Sequence, residues 1–159
     1  MSSVSQASQL GEISWRCVAF DALSAAELYA VLQLRSEVFV VEQACVFQDI
    51  DGFDVQALHV LGSVEGALVA YARCFPAGVK FAEASLGRVA TRASRRGTGT
   101  GHELVSQAIA CLLAQWGAQA IRIGAQARLE GFYRQHGFEV AGPPYLEDGI
   151  THIDMLRGG

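Results

Sequence analysis

The sequence predicts an α/β (α+β) domain with one mixed central β-sheet flanked by helices. Three observations point there. Apolar residues recur with a period of two in several short runs and with a helical period in others. The dipeptide Glu65-Gly66 parts two β-like runs as a hairpin turn would. The glycine-rich stretch Arg95-Arg96-Gly97-Thr98-Gly99-Thr100-Gly101 lies between a strand-like run and a helix-like one.

The elements follow in chain order. Residues 1–11 are small and polar and read as a flexible tail, which leaves 12–159 as a single domain. In 13–20, apolar Ile13, Trp15, Cys17 and Ala19 alternate as in a strand. Ser24 with Glu27 three residues on forms a capping box. The helix after it carries Leu28, Val31, Leu32, Val38 and Phe39 on one face, with Arg35 beside them, either snorkelling or pointing into a site. Residues 57–64 and 67–75 form the hairpin, 76–80 a turn, and 85–91 the strand before the glycines. Leu104, Val105, Ala108, Ile109, Leu112 and Trp116 mark a helix over 101–116. A short buried strand over 120–125 follows, then a helix over 129–136 closed by Gly137. Residues 138–140 and 150–156 read as the last two strands, with Asp148-Gly149 turning the chain before the final one.

Bulk properties narrow the function classes. At 159 residues, 51% of them apolar, the chain has the size and composition of one domain with a real core. A net charge of −4 argues against a nucleic-acid surface, which carries a basic patch. No apolar run approaches the roughly 18 residues of a membrane span, and the first residues lack a signal-peptide pattern, so a cytoplasmic protein is expected. The cysteines at 17, 45, 74 and 111 show no C-x-x-C spacing and read as free buried thiols of a reducing compartment. Asp49, Asp51 and Asp54 lack the further oxygen ligands of a calcium loop, so no metal is expected. They read as a solvated loop or as an acidic lining for a cationic substrate.

The glycine-rich stretch is the strongest chemical signal. Alternate glycines permit turns closed to other residues, and the first N–H groups of the following helix lack intrahelical partners. Such a turn seats phosphate. It is not a Walker loop, which would end in Gly-Lys-Ser/Thr, because Gly101 is followed by His102 and Glu103. It is not a dinucleotide fingerprint either, since the glycine spacing is wrong and the acidic residue about 20 positions on is missing.

The run Arg96-Gly97-Thr98-Gly99-Thr100-Gly101 resembles the pyrophosphate loop of the GNAT acyltransferase superfamily. Phe132-Tyr133-Arg134-Gln135-His136-Gly137-Phe138, some 30 residues further on, is similar to that family's second cofactor motif. Leu34 to Gln43, Gln48-Asp49-Ile50-Asp51-Gly52, Leu86-Gly87-Arg88-Val89, Gly124-Ala125-Gln126-Ala127 and Glu147-Asp148-Gly149-Ile150-Thr151-His152-Ile153 resemble its ElaA-like branch.

The resemblance implies a GNAT acyl-CoA N-acyltransferase fold and an acetyl-CoA-dependent N-acetyltransferase. Its acceptor would be a primary amine of a small molecule or peptide, attacking directly in a ternary complex without metal. Val89, Ala90 and Thr91 would offer backbone groups to the pantetheine arm. Arg96, Gly97, Thr98, Gly99, Thr100 and Gly101 would hold the pyrophosphate, with Phe132 in the second motif. Tyr133 matches the tyrosine that protonates the departing thiolate. Gln126 stands where the family has asparagine, and Leu129 where it has alanine; these departures leave open a non-catalytic acyl-CoA-binding sensor. The acceptor side falls on Arg35, Asp49, Asp51 and His59. Glu42 is preferred as the base because it ends the first helical region, and His152 is a weaker candidate. No cysteine sits in a nucleophile motif. Pairing of the last strands between subunits leaves a homodimer open.

Overall fold

Hairpins and alternating strands assemble into one eight-stranded sheet in a computed structural model that describes residues 11–159. All but Gly11 of the expected tail lies outside the described residues. The strands are β1 (Ser14–Ala19), β2 (Leu58–Val64), β3 (Ala67–Phe75), β4 (Ala84–Thr91), β5 (Ile121–Gln126), β6 (Phe138–Val140), β7 (Tyr145–Glu147) and β8 (Ile150–Arg157). Their order is β1-β2-β3-β4-β5-β8-β6, with β7 also on β8. Neighbours are antiparallel except β4 and β5, which run parallel. The helices are α1 (Ala25–Arg35), α2 (Thr100–Trp116) and α3 (Glu130–Arg134).

The local signals act as expected where they are short-range. Ser24 Oγ accepts from the Glu27 N–H at 3.0 Å while Glu27 accepts from the Ser24 N–H at 2.9 Å, completing the capping box. Glu65 and Gly66 both have positive φ, +50° and +82°, as a two-residue hairpin turn with the twist of its strands requires.

Helices cover both faces of the sheet. On one, Leu104, Val105, Ala108 and Leu112 of α2 pack with Ala70, Ala72 and Cys74 of β3 and with Ile121 and Ile123 of β5. On the other, Val31 and Leu34 of α1 pack with Leu61, Tyr71 and Ala90. β3 is therefore buried along almost its whole length, as a central strand covered on both sides must be. Each such leucine contributes about 1.5–3 kcal/mol by leaving water.

Three expectations need correction. The first helix does not run on unchanged to Phe39: α1 ends at Arg35 and a π-helical stretch, Ser36–Glu42, follows. β7 was not foreseen, because all three of its residues are exposed and no burial imprints a period on them. The cysteines are not all free. Cys17 of β1 and Cys111 of α2 are paired as a disulfide with Cα atoms 6.2 Å apart, while Cys45 and Cys74 are free and buried. The pair is 94 residues apart in the chain, so only the packing of α2 under the edge strand brings it together.

Candidate active site

The cleft exists because β4 and β5 part. They pair only at Ala84↔Ile121 and Ser85↔Arg122. Beyond these pairs the two strands line opposite sides of a cleft of about 880 Å³, and the β4 edge from Leu86 to Thr91 faces it without a strand partner. A bulge accompanies the parting. Tyr71 pairs with Ala90 but Arg73 pairs with Gly87, so β4 spends three steps where β3 spends two. Arg88 lies inside this bulge with φ +48°, a conformation rare for a side-chain-bearing residue. Bulges of this kind bend a strand and re-aim its groups next to sites.

The glycine-rich loop closes one end. Gly97 and Gly99 take φ +76° and +85°, and a Cβ at either would meet nothing within 4 Å, so the loop is open to a ligand. Gly99 is the N-cap of the 17-residue α2. The loop is braced from within: Thr98 Oγ1 donates to the Arg95 carbonyl at 2.5 Å and lies 2.9 Å from Thr100 Oγ1. The unpartnered N–H groups of the first turn and the positive end of the helix lie in this loop; of its residues Arg96 and Gly101 line the cleft, whereas Gly97, Thr98, Gly99 and Thr100 do not. A Cβ added at Gly101 would lie 3.6 Å from the Phe132 ring, and that ring is tilted against His102 with centroids 4.4 Å apart.

Tyr133, on α3, lines the cleft although it is 7% exposed. Phe132 and Phe138 meet it edge-on, with centroids at 5.1 and 5.9 Å. Burial pushes its hydroxyl up to about 12, so it holds its proton throughout the neutral range. Val89, Ala90, Thr91, Arg96, Gly101, Gln126, Leu129 and Phe132 share the cleft with it. Gln126 donates to Gln43 Oε1 at 3.2 Å, tying the end of β5 to the residue after the π-helical stretch.

Glu42 also lines the cleft, but it is engaged: Arg96 Nη2 donates to its Oε2 at 2.5 Å and to the Thr91 carbonyl at 3.1 Å. Arg96 thus joins the end of β4 to the π-helical stretch rather than standing free at the phosphate loop.

The other residues expected on the acceptor side do not line the cleft. Arg35 is wholly buried; its Nε donates to Asp49 Oδ2 at 3.0 Å, its Nη1 to Asp54 Oδ1 at 2.7 Å and its Nη2 to the Asp49 carbonyl at 2.9 Å. His59 is equally buried. Its Nε2 is 2.8 Å from the Asp54 carbonyl, which can only accept, so Nε2 carries the proton and Nδ1 accepts from the Tyr71 hydroxyl at 2.7 Å. Asp51 is paired with Arg73 and with Lys80. The aspartates are spent on arginines, and the acidic lining expected from them is absent.

What lines that end of the cleft instead is Phe47, Arg73, Phe75, Lys80, Phe81 and Arg88. Across from it stand Glu147, Asp148 and His152 of the β7–β8 hairpin; His152 Nδ1 is 2.7 Å from the Ile150 carbonyl. The sequence reading missed the cations as a group because Arg73 and Lys80 sit in a strand and a turn with no motif, and Arg88 drew notice only within the run Leu86-Gly87-Arg88-Val89. The positive φ of Arg88 leaves no sequence signal.

A family model described as an acetyltransferase (GNAT) domain matches residues 24–157. Protein ElaA of Escherichia coli K12 is 41% identical over 147 residues, 91% of this chain and 96% of that protein. Among solved structures, an acyl-CoA N-acyltransferase from Pseudomonas aeruginosa superposes with TM-score 0.88 at 38% identity, covering 92% of this chain and 100% of the other. Escherichia coli ElaA gives 0.85 at 40% identity, covering 91% and 99%. The parted strands, the glycine loop on a helix N-terminus and Tyr133 all fall within the matched span, and the chain belongs to the GNAT acyltransferase family, in its ElaA-like branch.

Proposed function

We propose that this chain moves an acetyl group from acetyl-coenzyme A to a primary amine of a small molecule or peptide, with both substrates bound at once. The observation that carries the reading is the unpaired β4 edge, with the glycine loop at one end of the cleft and Tyr133 in its wall. The residues present fit the cofactor: the edge offers strand-like hydrogen bonds, and the loop glycines leave the space a pyrophosphate needs. Bound there, acetyl-coenzyme A would supply an acyl group activated as a thioester.

The chain's own groups divide the work. Val89, Ala90 and Thr91 offer backbone N–H and C=O groups to an extended arm. A backbone N–H of this strand polarises a carbonyl in the manner of an oxyanion hole. The N–H groups of the Gly97–Gly101 loop and the end of the helix dipole hold the phosphates. Tyr133 keeps a proton at its hydroxyl oxygen for a departing thiolate. Glu42, with Arg96 on one oxygen, has the other to take a proton from the amine directly or through water.

The test is the Tyr133→Phe variant. It should bind acetyl-coenzyme A like the parent by calorimetry and lose at least about 100-fold in kcat, the usual effect of a positioned acid. Equal kcat, with chemistry rate-limiting, removes Tyr133 from this role.

A further inference from the structure

The cleft wall away from the glycine loop carries more positive charge than its own partners neutralise. Four cations meet there: Arg35, Arg73, Lys80 and Arg88. Three carboxylates answer them, Asp49, Asp51 and Asp54, so one positive charge remains. Arg35 is sealed below; Arg73, Lys80 and Arg88 reach the lining. Arg73 is 2% exposed, and its Nε is buried with no hydrogen-bond partner among the described residues. A buried donor left unmade is costly and is met elsewhere by a ligand or water.

The same cations lie on aromatic rings. Lys80 Nζ is 3.7 Å from the Phe53 centroid, the Arg73 guanidinium 5.0 Å from that of Phe75, and the Arg88 guanidinium 5.4 Å from that of Phe47. A charge with rings against it has less water around it, and an anion reaching it gains more than it would at an open surface. The opposite wall carries the carboxylates of Glu147 and Asp148, with His152 and Arg128 on the same side. The β4 bulge turns Arg88 toward this end at the expense of an unfavourable φ of +48°, the kind of strain that persists where a site uses it.

Resting on the acyl-transfer reading above, we propose that the acceptor is an amine that also carries a carboxylate, its anionic end seated against Arg88, Lys80 and Arg73 and its amine end toward the carboxylates of the cleft, Glu42, Glu147 and Asp148. Phe47, Phe75 and Phe81 suit an apolar side chain between the two charged ends. An acceptor of this kind is the reverse of the cationic one that the aspartates suggest when read in sequence, because those aspartates are paired with Arg35, Arg73, Lys80 and Arg88.

Calorimetry on the protein saturated with coenzyme A tests it without needing turnover. Two matched series serve as probes: phenylalanine, phenylalaninamide and 2-phenylethylamine, then leucine, leucinamide and isoamylamine. In each series the carboxylate-bearing member should bind about tenfold or more tighter, as expected for a hydrogen bond to a charged group. The Lys80→Met variant should narrow that gap, and Lys80→Met with Arg88→Met should close it. An amide or a carboxylate-free amine that binds as tightly overturns the proposal, and so does undetectable binding of both amino acids. Failure of the acyl-transfer reading shows separately, as no amine-dependent thiol release from acetyl-coenzyme A whatever the ranking of affinities.

Discussion

Arg35 stands on the apolar face of a helix, yet it is neither a surface residue nor a ligand of the cleft. It is a buried cation whose donors meet Asp49 and Asp54. Replacing it with methionine leaves two carboxylates short of a partner and should cost about 3 kcal/mol or more in urea unfolding. The partners are 14 and 19 residues along the chain, and Arg88 reaches Asp49 over 39. No local pattern announces such pairs, which is why the acidic run read as free charge. The histidine beneath it gives a pH test. Burial pushes the His59 pKa down, with the hydrogen bond to Asp54 opposing. The unfolded chain then binds the proton more readily, so stability is present above the ordinary histidine value of about 6.5 and is lost as pH falls below it. Burial pushes Asp51 and Asp54 up, but hydrogen bonds and charge from Arg73 and Arg35 outweigh it and hold both carboxyls low. Their contribution is lost below about pH 4, the unfolded carboxylate value. Melting temperature followed from pH 7.5 to 3 should fall in these two steps. Burial and the neighbouring His102 and Arg157 lower the His136 pKa too, so His59→Gln should shrink the first step and His59→Gln with His136→Gln should abolish it; a first step unchanged in His59→Gln would show that His59 does not contribute.

At the scale of elements, the donor end of the cleft was legible because its signals are local. A strand, three alternate glycines and a helix with an amphipathic period suffice to place the loop on the α2 N-terminus. The left-handed φ of Gly99 makes a strong prediction. Gly99→Ala must strain the N-cap or move it, costing about 1–3 kcal/mol locally. Affinity for acetyl-coenzyme A should drop about tenfold or more, with melting temperature falling by roughly 2–4 °C per kcal/mol of that strain and no further loss, since a Cβ there meets nothing within 4 Å. Unchanged affinity would mean that the loop does not hold the phosphates in this geometry. The bulge in β4 and the π-helical stretch were not legible. One is a single-residue register shift between β3 and β4 and the other a seven-residue change of helical winding, and Arg88 and Glu42 within them line the cleft.

At the scale of the whole molecule, α2 is the keel. It packs under β3 and β5, carries the phosphate loop at its start and holds Cys111 against Cys17 of the edge strand. Leu104 is wholly buried in that core, and Leu104→Ala should cost about 2–5 kcal/mol of unfolding free energy, with the fold retained. Thiol counting under denaturing conditions checks the cysteines: two groups should react before reduction and four after it. Four before reduction would show the Cys17–Cys111 pair open. Apart from β7, the order of strands and helices was readable because one sheet with helices on both faces forces period and length on every buried segment. Sheet order, the parting of β4 and β5, and the cationic wall were not, since they depend on pairings between distant strands. The most direct measurement mixes protein, acetyl-coenzyme A and a panel of amines, then follows free thiol and the mass of each amine together. Thiol released only when an amine is present, matched one to one by amine carrying an added acetyl group, is the predicted result. Tight binding of acetyl-coenzyme A with no acetylated amine from any member of the panel would contradict it.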